Sequence, residues 1–144
     1  MQLVDAKANL WRGPRPTDLS QLKADNIKRV ISLEAGYYDI IHPDQIVEQQ
    51  FPIEFGIDQY DMKCSDITPP PDWVVRKVIA LSQDAKPTYL HCLSGVDRTG
   101  FVCAAYRMQV NGWNYDAALA EWIALGRHWW YAAWNSSLKK WAKS

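Results

Sequence analysis

The chain has 144 residues, with 16 basic and 16 acidic side chains that give a formal net charge of zero. This length suits one hydrophobic core, so we expect a single domain over residues 1–144. The balanced charge excludes the strong overall field that attracts nucleic acid or a membrane surface. No apolar run approaches the roughly 18 residues of a membrane-spanning helix, and no secretory pattern is visible at the amino terminus.

The chain has three cysteines, Cys64, Cys92 and Cys103. They form no CxxC pair, which argues against a zinc site or a disulfide framework. A reducing, cytoplasmic compartment is therefore expected. A periplasmic or secreted location stays open if a signal peptide has been removed.

Predicted helices and strands alternate along the first half of the chain. Thr17 with Asp18 predicts the cap of a short helix to about residue 23, and residues 28–33 are typical of a strand. A helix is predicted over residues 43–50. The alternation of residues 53–62 predicts a strand, which runs into a polar loop that ends in three prolines.

In the second half, Asp72 is expected to cap a helix, and residues 88–91 predict a strand. A helix follows from Arg98 to about residue 110. Asn114 is expected to cap another helix, which Gly126 ends, and a last helix is predicted over residues 129–141. The apolar face of the helix after Asp72 consists of Val74, Val75, Val78, Ile79 and Leu81, and a buried stripe in the last helix consists of Trp130, Trp134, Leu138 and Trp141. This alternation predicts an α/β fold with a mostly parallel central sheet of four to five strands flanked by helices.

Residues 91–100, HCLSGVDRTG, place a cysteine after a predicted strand and an arginine at the start of a helix. The five residues between Cys92 and Arg98 must turn sharply, and Gly95 supplies the backbone freedom. Their amides and the free amides of the helix can converge on one anion. The helix dipole and the Arg98 charge favour a thiolate at Cys92, and the guanidinium matches two phosphate oxygens. The segment therefore predicts phosphoryl transfer through a cysteine.

This segment resembles the phosphate-binding loop of the protein tyrosine phosphatase superfamily, in which Cys-x5-Arg is preceded by His and followed by Thr. The pairs Tyr106-Arg107 and Gly112-Trp113, and the opening LWRGPRP at residues 10–16, are similar to compact bacterial dual-specificity-like phosphatases. The loop also resembles that of the cysteine phytases, which are inositol polyphosphatases, because it contains no lysine. The resemblance implies a dual-specificity-phosphatase-like fold and substrate binding by the loop residues Leu93, Ser94, Gly95, Val96, Asp97 and Arg98.

Two neighbours of the loop have expected supporting tasks. His91 and Cys92 are adjacent on a strand and point to opposite faces, so His91 cannot act as a base and is expected to hydrogen-bond behind the loop. The Thr99 hydroxyl is placed to donate to the Cys92 sulfur; simple capping of the first helical turn is the alternative. Asp97 would repel a phosphate, so its side chain is expected to turn away, either capping the helix or pairing with a cation.

A cysteine phosphatase also needs an acid that protonates the leaving oxygen. Asp58, Asp61 and Asp66 are the candidates, and Asp66 is favoured because its polar loop, closed by prolines, suits a lid over the site. The Asp-x-x-x-Pro spacing also resembles the mobile acid loop of cysteine phytases. Asp61 is the reserve, and an ordinary loop aspartate is the alternative explanation of Asp66.

Three cations outside the loop bear on the substrate. If Arg12, Arg15 and Lys63 all point inward, they ring the pocket mouth and suit a substrate with several phosphates; scattered surface cations are the alternative. This possibility favours inositol polyphosphates slightly over phosphotyrosine proteins.

The sequence therefore predicts a cysteine-dependent phosphomonoester hydrolase that acts through a phosphocysteine. A protein phosphotyrosine or dual-specificity phosphatase is the alternative, and a non-catalytic binder of phosphorylated ligands is a weaker one. No cofactor or metal is expected, since His42 and His128 stand isolated in the sequence. We expect a monomer that binds neither nucleic acid nor membranes.

Overall fold

The computed structural model of the protein describes residues 1–17, 19–34 and 56–143. In chain order the elements are β1 (Gln2–Asp5), β2 (Leu10–Gly13), α1 (Leu19–Ala24), β3 (Arg29–Glu34), β4 (Asp58–Cys64), α2 (Asp72–Ser82), β5 (Thr88–His91), α3 (Arg98–Gln109), α4 (Tyr115–Ala124), a 3-10 helix (Trp129–Trp134) and α5 (Asn135–Lys139). The helix expected over residues 43–50 and the start of the strand expected from residue 53 lie outside the described residues. No helix in the described ranges is both long and apolar enough to cross a membrane.

The five strands form one sheet in the order β1-β2-β5-β3-β4. Only the edge strand β1 pairs antiparallel, with β2; the other three pairings are parallel. Gly13, His91 and Ser32 lie side by side across three neighbouring strands. The carboxyl ends of four strands therefore meet at one edge of the sheet, where ligands bind in α/β folds. The predicted α/β class and strand number are confirmed.

The central strands are buried on both faces, as parallel strands flanked by helices are. Val30 and Tyr89 pack with Leu22 of α1 on one face. Ile31 and Leu90 point to the other face and join the larger core formed with α2, α3 and α4. This double burial fixes the register of β5, because a shift by one residue would exchange its two faces.

The start of α2 differs from the sequence prediction. Asp72 was expected to be the cap, but Pro71 occupies that position and no side chain caps the helix. Asp72 lies in the first turn, where its carboxylate complements the helix dipole and faces Arg76 at 3.8 Å. Asn114 does cap α4, accepting a 2.8 Å bond from the amide of Ala117.

The prediction of one long helix over residues 129–141 is wrong. A 3-10 helix covers Trp129–Trp134 and a short α-helix follows. A 3-10 helix has three residues per turn, so Trp130 and Trp134 lie on different faces. Trp134 and Leu138 are buried, but the side chain of Trp130 is 50% exposed. The expected buried stripe is therefore broken at Trp130.

Two short strands near the amino terminus, β1 and β2, were missed by the sequence analysis. Each has only four residues, and neither leads into a recognisable loop motif as the equally short β5 does. β2 nevertheless alternates, with Leu10 and Arg12 buried and Trp11 and Gly13 partly exposed. It lies beside β5 and leads into the functional edge of the sheet.

An ion pair at the opposite end of β3 gives a test of the fold. The buried Arg29 donates to both carboxylate oxygens of Asp84 and to the carbonyl of Leu81. The hydrogen bond from Arg29 lowers the pKa of Asp84 from 3.8 to about 2. This contribution to stability is complete above pH 3.8 and is lost as the pH falls through about 2.

We therefore predict that Asp84→Asn lowers the Tm at pH 7, and that the difference from the parent protein shrinks between pH 4 and pH 2. Thermal unfolding of both proteins at several pH values measures this difference in Tm. Asp72→Asn is the matched control, because its partner Arg76 is 3.8 Å away and both side chains are exposed. A Tm loss for Asp84→Asn that stays constant down to pH 2 would contradict the prediction.

Candidate active site

The loop from Cys92 to Arg98, here the phosphate loop, leaves the end of β5 and enters α3. Cys92 is 1% exposed and lies at the base of a pocket. Gly95 has a φ of +80°, and a Cβ there would lie 2.4 Å from the carbonyl carbon of Gly13. The loop therefore passes so close to β2 that only glycine fits.

The carbonyls of the phosphate loop are bonded to groups outside it. Arg12 donates to the Gly95 carbonyl at 2.9 Å, and the Arg15 amide donates to that of Leu93 at 3.0 Å. The indole of Trp122 donates to the carbonyls of Val96 and Asp97, both at 3.1 Å.

These bonds also orient the amides of the loop. The described chain contains no cis peptide bond, and in a trans peptide the N–H points opposite to the C=O. With the carbonyls turned towards β2 and α4, the amides that follow them point to the other side of the loop. This arrangement of amides in the loop and at the start of α3 is the one that the predicted anion site requires.

Trp122 is a supporting residue that the sequence analysis missed. Its ring is 1% exposed and packs edge to face on Phe101 at 5.7 Å between centroids. A Cβ on Gly100 would lie 2.2 Å from Cδ1 of Trp122, so the glycine of the Arg98-Thr99-Gly100 motif makes room for this ring. That glycine was the available sequence signal, since a glycine inside a helix commonly marks a close approach.

Arg98 begins α3 and is 4% exposed. One end of its guanidinium donates to the carbonyls of Cys64 at 3.1 Å and Leu33 at 3.4 Å. These carbonyls lie at the carboxyl ends of β4 and β3. The sheet edge therefore orients the guanidinium in the pocket that contains Cys92.

His91 lies behind the phosphate loop, as predicted. The side chain is fully buried, with Nδ1 3.1 Å from the carbonyl oxygen of Cys92 and 3.6 Å from Oε2 of Glu34. Thr99 is also fully buried, but its hydroxyl has no hydrogen-bond partner within the described residues. The expected bond from Thr99 to the Cys92 sulfur is therefore not formed in this structure.

Asp97 lines the pocket of Cys92, and its carboxylate pairs with His128 instead of capping α3. It makes no side-chain cap bond to α3. Its carboxylate accepts from the backbone amide of His128 at 2.9 Å and lies 2.7 Å from Nδ1 of the same residue. The view of His128 as an isolated histidine is wrong, because the fold brings together two residues 31 positions apart.

The predicted ring of cations is wrong for both arginines. Arg12 and Arg15 are each 4% exposed, and Arg12 is held by the Gly95 carbonyl. Arg15 forms a 2.5 Å salt bridge with Glu34, whose carboxylate balances its charge. Lys63 is exposed on β4, and neither it nor the two arginines line the pocket of Cys92. The alternation of β2 turns Arg12 inward, and Arg15, just beyond that strand, is turned inward to Glu34.

The pocket itself is lined by acidic, basic and aromatic side chains. Its lining residues are Asp66, Cys92, Leu93, Ser94, Asp97, Arg98, His128, Trp130 and Tyr131. Gly95 and Val96, expected to bind substrate, border a separate cleft beside Gly13 and Leu125.

Of the candidate acids, Asp66 lines the pocket of Cys92. Asp61 is exposed on β4, where its carboxylate accepts from Gln59.

Asp66 lies in the loop of residues 65–71, here the acid loop. Its side chain is mostly buried. The Tyr131 hydroxyl donates to the carbonyl of Asp66 at 2.9 Å, and the Trp134 indole donates to that of Ile67 at 3.2 Å. The polar sequence closed by prolines predicts a lid that swings over the site, whereas the loop is bonded to the 3-10 helix.

The other two cysteines are buried thiols. Burial raises the pKa of Cys64 to about 12, and its Sγ lies 3.2 Å from the carbonyl oxygen of Met62. Burial also raises the pKa of Cys103 inside α3. Within the described ranges, no group of three or more histidine, cysteine or acidic residues could hold a metal ion.

Comparisons with known proteins agree with this geometry. Residues 12–123 match the family model of the dual specificity phosphatase catalytic domain. The chain therefore belongs to the dual-specificity phosphatases, cysteine-dependent enzymes of the protein tyrosine phosphatase superfamily.

Among curated proteins, 48 residues are 42% identical to the dual specificity protein phosphatase TpbA of Pseudomonas aeruginosa. The match spans 33% of this chain and only 22% of that relative. The crystal structure of P. aeruginosa TpbA superposes with a TM-score of 0.68 and 22% identity, covering 96% of this chain and 93% of that one.

Two further structures share the fold. PTPMT1 in complex with PI(5)P has a TM-score of 0.72 and 19% identity, covering 96% of this chain and 91% of the other. The core catalytic domain of the PP-IP phosphatase SIW14 from S. cerevisiae has a TM-score of 0.68 and 15% identity, covering 92% of this chain and 85% of that one.

The contact between Gly95 and β2 gives a test of the loop geometry. Gly95→Ala adds a Cβ that overlaps the Gly13 backbone and also forces alanine to a positive φ. We predict a loss of turnover on p-nitrophenyl phosphate of at least about tenfold, since loop displacement disrupts positioned catalytic groups.

Gly112→Ala is the matched control for this substitution. Its φ is +75°, similar to that of Gly95, but nothing lies within 4 Å of the added Cβ. It is expected to cost about 1 kcal/mol of stability and to leave turnover unchanged. Equal turnover in the two variants would show that the close approach is not needed.

Proposed function

We propose that this protein hydrolyses phosphomonoesters through a phosphocysteine formed on Cys92. The observation that carries the proposal is that a nucleophile, a phosphate-binding arginine and an acid line one pocket: Cys92, Arg98 and Asp66. These groups come from three different segments of the chain. A binder of phosphorylated ligands would need the arginine and the amides but neither a buried cysteine nor an acid.

In the first step the Cys92 thiolate attacks phosphorus, a sulfur–phosphorus bond forms, and the bond from phosphorus to the leaving oxygen breaks. Asp66 donates a proton to that oxygen. In the second step water attacks the phosphocysteine, Asp66 takes its proton, and the thiolate leaves as inorganic phosphate is released. The Thr99 hydroxyl, buried and without a partner among the described residues, is proposed to donate to the leaving sulfur.

The loop amides and Arg98 stabilise the negative charge of both transition states. They are held in place before substrate arrives, because the carbonyls are already bonded to Arg12, Arg15 and Trp122. Preorganised donors of this kind supply most of the catalysis in phosphoryl transfer. Since Cys92 must remain reduced to act, the proposal includes a reducing, cytoplasmic location.

The pocket wall favours a flat aromatic leaving group, and we propose phosphotyrosine or a similar aryl phosphate as the substrate class. Trp130 stacks on His128 at 4.7 Å between ring centroids, and Tyr131 continues this surface. A phenyl ring bound through its phosphate can pack against an aromatic surface of this kind.

The electrostatics of the pocket support the same choice. Its lining contains two carboxylates, Asp66 and Asp97, against the single guanidinium of Arg98 and the imidazole of His128. The sequence-based preference for inositol polyphosphates depends on the cations Arg12, Arg15 and Lys63, and none of these lines the pocket. The solved relatives include TpbA in complex with pTyr and PTPMT1 in complex with PI(5)P, so the shared fold accommodates both kinds of ligand.

For the acid, we predict that Asp66→Asn lowers kcat/KM for phenyl phosphate by about 100-fold or more. The loss for p-nitrophenyl phosphate is expected to be much smaller, because nitrophenolate leaves without a proton. Steady-state kinetics on the two esters measure this difference, and Cys92→Ser should abolish turnover of both. Asp61→Asn, an exposed aspartate on β4, is the control expected to retain full activity. If Asp61→Asn shows the loss instead, the acid is Asp61.

For the substrate, we predict that the protein turns over a phosphotyrosine peptide faster than phytate with a chelator present. Trp130→Ala should raise the KM for the peptide by roughly two- to tenfold, the contribution of one aromatic contact. Trp129→Ala is the matched control, since that side chain is 80% exposed and does not line the pocket. A clear preference for phytate would overturn the aryl phosphate proposal.

A further inference from the structure

The 3-10 helix Trp129–Trp134 contacts the acid loop through two aromatic hydrogen-bond donors. The Tyr131 hydroxyl donates to the carbonyl of Asp66 and the Trp134 indole to that of Ile67. The two donors are three positions apart, which is one full turn of a 3-10 helix, so they lie on the same face. In an α-helix the same spacing would leave the two donors about 60° apart around the axis, whereas the 3-10 helix aligns them.

Both donors are fixed by the core. Tyr131 and Trp134 are 7% and 4% exposed, and their rings meet edge to face at 4.5 Å between centroids. Trp134 also packs edge to face on Phe101 of α3, the helix that begins with Arg98. Burial raises the pKa of Tyr131, so its phenol remains a protonated donor at neutral pH and above.

The same segment is bonded to the phosphate loop at its other end. His128 precedes the 3-10 helix, and its amide and ring both meet the Asp97 carboxylate. Residues 128–134 therefore connect the loop of the nucleophile to the loop of the acid. This connection adds to the bond from Arg98 to the carbonyl of Cys64, which precedes the acid loop.

We propose that Tyr131 and Trp134 are positioning residues that hold Asp66 at the proton-transfer position through the backbone of the acid loop. The inference rests on the proposed function, in which Asp66 is the acid. Neither side chain transfers a proton. Each fixes one of two consecutive carbonyls, which leaves the peptide between Asp66 and Ile67 little freedom to rotate.

Tyr131→Phe tests this directly, because it removes the hydroxyl and keeps the ring that lines the pocket. We expect kcat/KM for phenyl phosphate to fall roughly three- to tenfold, the range that corresponds to one hydrogen bond. For p-nitrophenyl phosphate, whose leaving group needs no acid, kcat/KM is expected to change less than twofold. The ratio of the two losses distinguishes acid positioning from general damage.

Tyr106→Phe is the matched control. It also removes one tyrosine hydroxyl, which donates to Asp5 at 2.7 Å and links α3 to β1. The Tm of Tyr106→Phe should fall about as much as that of Tyr131→Phe. Its ratio of kcat/KM for phenyl phosphate to kcat/KM for p-nitrophenyl phosphate should stay at that of the parent protein. Trp134→Phe, a second variant, keeps an aromatic ring but loses the donor to Ile67, and it should change the ratio in the same direction as Tyr131→Phe.

The double variant Tyr131→Phe with Asp66→Asn completes the test. If Tyr131 acts through Asp66, its substitution has no further effect on phenyl phosphate once the acid is gone. Suppose that Asp66→Asn slows phenyl phosphate much more than p-nitrophenyl phosphate, but that Tyr131→Phe slows both esters equally or lowers the rate further in the double variant. The positioning inference is then wrong and the acid assignment stands. If Asp66→Asn leaves both esters unaffected, the acid assignment fails and the positioning inference fails with it.

Discussion

The outward orientation of the phosphate-loop carbonyls is the constraint on which the rest of the site depends. The bonds from Arg12, the Arg15 amide and Trp122 turn these carbonyls towards β2 and α4. Because a trans peptide carries its N–H on the other side, the same bonds direct the amides towards the pocket. A loop held in this way is complementary to an anion before the anion binds, so little reorganisation is needed during the reaction.

This constraint explains several features that have no direct role in chemistry. Gly95 is needed because the loop approaches β2 closely, and Gly100 because Trp122 approaches α3 closely. The side chain of Arg12 is buried where it supports the loop, and that of Arg15 is buried in its salt bridge with Glu34. The guanidinium groups of Arg12 and Arg15 are therefore used for structure, and the guanidinium that lines the pocket is that of Arg98.

The aromatic segment of residues 128–134, which follows α4, shapes the wall of the pocket. It contributes Trp130 and Tyr131 to the wall, and its hydrogen bonds reach both the Asp97 carboxylate and the acid loop. One short 3-10 helix therefore affects both the shape of the substrate site and the place of the acid. Such coupling follows from its position between two loops at the same edge of the sheet.

The predictable parts of this protein are local in sequence. Cysteine, glycine, arginine and threonine lie within eight consecutive residues, and the flanking strand and helix dictate how they meet, so the sequence alone determined the phosphate loop and the α/β class. The exposure of Trp130, the burial of Arg12 and Arg15, and the pairing of Asp97 with His128 were decided by tertiary structure. Asp97 and His128 are 31 residues apart, and Tyr131 and Asp66 are 65 apart. Contacts over such distances depend on how helices pack on the sheet, and hydrophobic periodicity does not encode that packing.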